Sequence, residues 1–311
     1  MAVSAYLQLA IRILTVAVAV SAPYIFAAIG EMFSQKSGVL NLGVEGIMML
    51  GAFVAFYFAW AHENILLGII LAIFVGGLMG LLMAFVSVTL KAKQGISGIG
   101  LFMFGWGVAG TLFRLFVGGV QSISGLQDLN VSGLTDLPYI GRILFSHNIL
   151  VYLAFLLVPV SWYVLYKTPW GLKVRAVGST PRAADTMGIN VTKIRYQCVI
   201  LGSMLAGLAG AYLSVAQANM FASDLVAGRG FIAIALVYFG RWKPFGILKG
   251  AMLFSVANGF QRWFQISGIA FPYEVTVVFP YVLIIVVLAL SHKKFAEPTA
   301  LTVPYDREFK G

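Results

Sequence analysis

SGVLNLGVEGIMMLGAF, residues 37–53, sets an asparagine, a glutamate and four glycines inside a stretch otherwise apolar enough to enter a bilayer. Ionisable groups at membrane depth are costly, so they persist where they line a pathway or close a buried hydrogen-bond network. Asn41 and Glu45, one helical turn apart on one face, are therefore the first candidate functional residues. The glycines around them suit a helix that starts after a break inside the membrane.

Outward from that segment, composition sets the class. Of the 311 residues 60% are hydrophobic and 10% charged, against roughly 25% charged in soluble domains. The chain reads as an all-α integral membrane protein, and residues 1–311 as a single transmembrane domain. Apolar runs of about 20 residues can each cross a hydrocarbon core. They lie at 10–33, 39–61, 65–90, 96–119, 147–166, 194–217, 228–240, 245–261 and 273–291, giving about nine helices within a range of eight to ten. The runs at 228–240 and 245–261 are short and divided by Gly240 and Pro244, as broken or half-helices would be. The first run has only Arg12 as a basic flank and many spans after it, so it is a retained helix, not a signal peptide. One cysteine, Cys198, and three scattered histidines offer neither a disulfide framework nor metal-ligand spacing. No metal site and no catalytic residue is expected.

Basic residues near span ends stay in the cytoplasm. With alternating spans, 16 of the 21 basic residues fall on one side: Lys36, Lys91, Lys93, Lys167, Lys173, Arg175, Arg182, Lys193, Arg195, Arg241, Lys243, Lys249, Lys293, Lys294, Arg307 and Lys310. The N-terminus is then outside and the C-terminus cytoplasmic, with 171–195 a cytoplasmic loop and 292–311 a cytoplasmic tail. This asymmetry accounts for the net charge of +10 without invoking nucleic acid.

Within GLKVRAVGSTPRAADTMGINVTKIR, residues 171–195, Thr180 is placed to cap a helix, Pro181 suits its first position and Gly188 its end. A short helix over 181–187 is predicted, carrying Arg182, Asp185 and the small residues Ala183 and Ala184. Small residues let a partner surface approach, while the charges fix its register. The alternative is a structured loop needed only for topology.

Three motifs in order, the opening segment, VRAVGSTPRAADTMGINV (174–191) and GRGFIAIALVYFGRWKPFGILKGA (228–251), resemble the permease subunits of ATP-driven importers of the branched-chain amino acid, ribose and nucleoside type. The resemblance covers about 20–290 and is strongest for the subfamily importing purine nucleosides or simple sugars. It implies that ATP and Mg are bound by separate cytoplasmic ATPase subunits. The chain has no Gly-Lys dipeptide and hence no P-loop, so it is not itself an enzyme. It further implies an ATPase-docking surface at Gly178, Pro181, Arg182, Ala183, Ala184, Asp185, Gly188 and Ile189. Other implied partners are a second homologous permease, with NLGVEGIMM resembling the shorter member of a heterodimer, and an extracytoplasmic substrate-binding protein or lipoprotein. The location implied is a bacterial inner membrane. The ligand class is purine nucleosides, or alternatively ribose or galactose. An ion-coupled secondary transporter is a further alternative, with Glu45 nearly its only intramembrane acidic candidate.

The motifs at 37–53 and 228–251 also read as related elements of two repeats. Helix starts inside a membrane present backbone N–H groups to a polar ligand. Substrate-pathway candidates are Asn41, Glu45, Phe104, Trp106 and Phe231, the aromatic rings being able to stack on a nucleobase. For Asn41 and Glu45 two roles stand open: touching substrate, or holding a broken helix in place. Glu31 reads as a helix-end residue at the interface. Gln217 and Asn219 are expected at the outer mouth. Glycines four apart, Gly76 with Gly80 and Gly202 with Ala206 and Gly210, are expected at close helix crossings.

Overall fold

The computed structural model describes residues 2–130, 140–266 and 297–306, with isolated positions between 278 and 289. Its helices are α1 (Ala2–Lys36), α2 (Val44–Ala61), α3 (Ile65–Ala84), α4 (Gln94–Phe116), α5 (Ile140–Leu144), α6 (Ile149–Lys167), α7 (Pro169–Ser179), α8 (Pro181–Thr186), α9 (Val191–Tyr212), α10 (Arg229–Phe239) and α11 (Pro244–Ile266). α3 and α9 each continue through a π-helical turn, Phe85–Thr89 and Leu213–Ala218. Between α4 and α6 a two-residue antiparallel ladder pairs Leu129–Asn130 with Ser146–His147.

Among the described residues six helices are long and apolar enough to cross a membrane: Leu7–Lys36, Val44–Ala61, Ile65–Thr89, Gln94–Phe116, Ile149–Lys167 and Val191–Ala218. They correspond to the first six expected runs, and α10 and α11 to the two short ones. The expected run at 273–291 lies mostly outside the described residues. One boundary moves for a clear reason. The second span begins at Val44, not 39, because Gly38 is left-handed (φ +97°) and the Asn41 side chain takes the Gly43 N–H at 2.9 Å. That side-chain turn competes with helix and leaves 37–43 irregular.

α1 and α9 form the centre of the bundle as an antiparallel pair. Contacts run in register along it, from Ser37 with Arg195, through Gly30 against Gly202, to the Ala19 carbonyl and the Tyr212 hydroxyl. α9 then packs on α2 and α3, while α1 packs on α10 and α11, so each half seats its later helices on the other half's first. This is the arrangement expected of two interlocked repeats. Small residues make it possible: a Cβ on Gly202 would lie 2.5 Å from the Gly30 carbonyl, and one on Gly76 2.5 Å from the Ser203 carbonyl. In lipid, where apolar surface gives helices little reason to associate, such backbone contact supplies the packing energy. In α1, α2 and α9 more than 70% of the most apolar window is buried, but in α3, α4 and α6 a third or less. The latter three form the periphery.

The basic segments gather at one end. Lys91 Nζ pairs with Asp306 at 2.7 Å, Ala300 N–H donates to the Gly178 carbonyl at 3.0 Å, and Arg195 reaches Ser37. At the opposite end Ile123 N–H donates to the Asn219 carbonyl, and Leu126 N–H to that of Val215.

Candidate functional site

The break before α2 is held by a ring of buried polar side chains. Glu31 Oε1 accepts the Asn41 N–H at 3.0 Å and Gln35 Nε2 at 2.9 Å. Gln35 Oε1 in turn accepts the indole N–H of Trp242 at 2.7 Å. Gln94 Oε1 accepts the Leu40 N–H at 2.8 Å, and the Ser34 hydroxyl donates to the Val39 carbonyl at 2.8 Å. Asn41 Nδ2 donates to Ser203 Oγ at 3.3 Å. The N–H groups of Leu40, Asn41 and Gly43 and the Val39 carbonyl thereby find side-chain partners that water would otherwise have to supply. Glu31 is 1% exposed, so its placement at the interface is corrected. Carboxylate acceptors are the strongest available for stray N–H groups, and the returning chain folds over it.

The second break lies before α10, and Glu45 serves it. One carboxylate oxygen accepts the Gly228 N–H at 2.7 Å and the other the Gly230 N–H at 2.6 Å. α10 has no side-chain cap of its own, so this carboxylate from α2 acts as the N-terminal anion that a helix start favours. Gly228 is left-handed (φ +80°), and a Cβ on Gly230 would lie 2.7 Å from the Glu45 backbone. The backbone conformation therefore favours glycine at 228, and the close approach requires it at 230.

α10 has 11 residues, about 16 Å of helix, and Trp242 beyond its end is tied to Gln35 near the end of α1. Its N-terminus meets that of α2 inside the bundle, about one α10 length away from that tie.

Beside that meeting point the bundle presents aromatic rings outward. Phe231 is 41% exposed and packs edge-on against Phe102, with centroids 5.4 Å apart. Trp106, one turn along α4 from Phe102, is exposed and donates its indole N–H to the Ser223 carbonyl at 3.0 Å. Glu45, Phe231 and Trp106 are therefore brought to one region, together with Phe102. Phe104 lies on the other side of α4, against Leu82, Met83 and Val86. Asn41 is 2% exposed, with both ends of its amide engaged. Gln217 is half-buried, and Asn219 adopts a left-handed conformation at the end of the π-helical turn.

In the basic loop α8 covers Pro181–Thr186, close to the predicted 181–187. Thr180 occupies the capping position, although its side chain makes no capping bond. Gly188 ends the helix with φ +79°. Arg182, Ala183 and Gly188 are exposed, Pro181, Asp185 and Ile189 are half-buried, and Gly178 and Ala184 face inward. Gly178 lets α7 press on the Lys36 carbonyl. Met187, 81% exposed, had no sequence signal beyond its neighbours and forms the tip of this surface. Among the described residues no cluster of His, Cys, Asp and Glu could hold a metal ion.

Residues 13–288 match the family model described as the permease component of branched-chain amino acid transport systems. The chain belongs to that permease family. It is 37% identical to a putative glucose ABC transporter permease, TsgC13 of Haloferax volcanii, over 91% of this chain and 94% of that one. It is 36% identical to the guanosine ABC transporter permease NupQ of Bacillus subtilis and 36% to the nucleoside ABC transporter permease NupC of Lactococcus lactis, over 92% of this chain and 93% of each relative. No solved structure gives a significant match. Membership makes the chain a multi-pass ABC transporter permease subunit.

Proposed function

We propose that this permease carries purine nucleosides or related ribosides inward across a bacterial inner membrane, with its N-terminus outside and its C-terminus in the cytoplasm. The observation that carries the reading is the meeting of two helix starts inside the bundle beside Phe102 and the exposed rings of Trp106 and Phe231. Flat aromatic faces suit a nucleobase, and N–H groups at helix starts suit its acceptors and the ribose oxygens. The likeness to the guanosine and nucleoside permeases supports the same class. In this reading Phe231 and Trp106 line the path, while Asn41 and Glu45 hold its walls and Phe104 stands aside.

Because the rings face out of the bundle, the path is closed by a second permease subunit, a heterodimer partner. The exposed part of the basic loop, Arg182, Ala183, Met187 and Gly188, meets a cytoplasmic ATPase that binds ATP and Mg. A substrate-binding protein or lipoprotein delivers ligand at the opposite end. The glucose permease relative favours simple sugars as a second reading. An ion-coupled mechanism has less behind it, since both Glu45 oxygens are already taken by backbone N–H groups.

The test is uptake of radiolabelled guanosine, adenosine, ribose and galactose by cells with and without this subunit, in the presence of its ATPase and partner permease. Loss of nucleoside uptake alone is the expected result. Loss of sugar uptake alone moves the ligand to the second reading, and no loss with either class refutes the assignment.

A further inference from the structure

Arg195 is the largest charged side chain inside the described fold, 1% exposed, and no carboxylate among the described residues pairs with it. It sits in the first turns of α9, just beyond α8. Its Nε donates to the Ser37 carbonyl at 3.2 Å and its Nη1 to the Val303 carbonyl at 3.0 Å. A buried guanidinium given to two backbone carbonyls is a costly way to fill space, which points to the segments it joins.

Those segments are the break before α2 and the C-terminal strap 297–306. The strap also grips the other flank of α8. Ala300 N–H donates to the Gly178 carbonyl at 3.0 Å, and the Thr299 hydroxyl donates to that of Ser179, the last residue of α7. It holds the break as well, through Thr302 N–H on the Gly38 carbonyl at 3.2 Å. Gly38 is packed so tightly that a Cβ there would lie 2.8 Å from Arg195 Nη2 and 2.9 Å from the Ala300 carbonyl. The end of α7 presses directly on the Lys36 carbonyl through Gly178. Both flanks of α8 are thus fastened to residues 36–38, once directly and once through the strap. From there the chain runs only a few residues to Asn41 and to Glu45, which holds the start of α10.

We propose that Arg195 and the strap 297–306 form a transmission clamp, in which Arg195 is a positioning residue that makes α8 and the break at 37–43 move as one body. A displacement imposed on α8 is delivered to the meeting starts of α2 and α10 instead of being absorbed by loop bending. Closely packed, hydrogen-bonded segments of this kind carry energetic coupling between sites where free loops do not. The inference rests on α8 being the ATPase contact of the preceding section.

The test uses the assembled complex in proteoliposomes, reading co-purification of the ATPase, ATP hydrolysis and guanosine uptake for the native chain, Arg195→Met, Arg195→Lys and Ala300→Pro. The last removes the N–H given to Gly178 and lies outside the membrane, so it decides the matter if Arg195→Met fails to assemble. The expected result is assembly and ATP hydrolysis within twofold of native, with uptake reduced tenfold or more. ATP consumed per guanosine carried then rises at least fivefold, with Arg195→Lys in between. Uptake unchanged in both Arg195→Met and Ala300→Pro overturns the clamp, as does a parallel fall of hydrolysis and uptake, which marks a merely structural role. A native complex that hydrolyses ATP without moving either nucleoside or sugar overturns the importer reading itself, and the clamp with it.

Discussion

Replacing Glu45 by glutamine tests whether its carboxylate works on the protein or on the substrate. The substitution keeps shape and length but turns one of two acceptor oxygens into an NH2 group, which then faces the N–H of Gly228 or Gly230 as donor against donor. A buried N–H left without an acceptor costs about 1–3 kcal/mol, and losing the negative charge at a helix start about 0.3–1 kcal/mol more. Glu45 is 6% exposed, so water does not make good the loss. The total, about 1.5–4 kcal/mol, raises the undocked fraction of the α10 N-terminus roughly 10- to 1,000-fold. Hydrogen exchange followed by mass spectrometry, on the assembled complex in nanodiscs, reads this directly at the amides of 228–232. Faster exchange there by at least tenfold, with the interior of α1 unchanged, is the expected result. If exchange at 228–232 stays within twofold of native while uptake collapses, the carboxylate acts on substrate and the capping argument fails.

Other outcomes follow from the same packing. Gly46→Val should lower the melting temperature of the complex and the yield in membranes, because any Cβ at 46 meets the Phe102 backbone 2.7 Å away; overpacking of this kind costs about 1–3 kcal/mol. Melting unchanged within a degree would mean that α2 and α4 do not cross there. Cys198, fully buried in α9, should resist a membrane-permeable maleimide in the folded complex and label only after denaturation. Labelling of the native protein at the rate of a free thiol would displace α9 from the centre of the bundle.

Much of the architecture is legible in the sequence because hydropathy and local backbone chemistry are local properties. The six long spans, the gathering of basic residues at one end, the short helix between Thr180 and Gly188 and the break around Asn41 all follow from composition, glycine and proline placement, and the cost of charge in lipid. The Glu45 pairing shows where that reading stops. The sequence marks Glu45 as costly and offers two roles, yet its partners Gly228 and Gly230 lie more than 180 residues away and are chosen by how α2 crosses α10. Glu31 and Arg195 are harder still. Near a span end each reads as an ordinary interfacial charge, and only the folding back of residues 37–43 and of the strap encloses them.

The sequence by itself determined which segments enter the membrane, where one of them breaks and which loop carries an exposed helix. Tertiary structure alone decided which helices are central, which carbonyls and N–H groups a buried charge serves, and that the C-terminal strap binds both flanks of α8. The physical reason is that lipid is as apolar as a neighbouring helix, so a leucine facing either reads alike, and only three-dimensional packing distinguishes them.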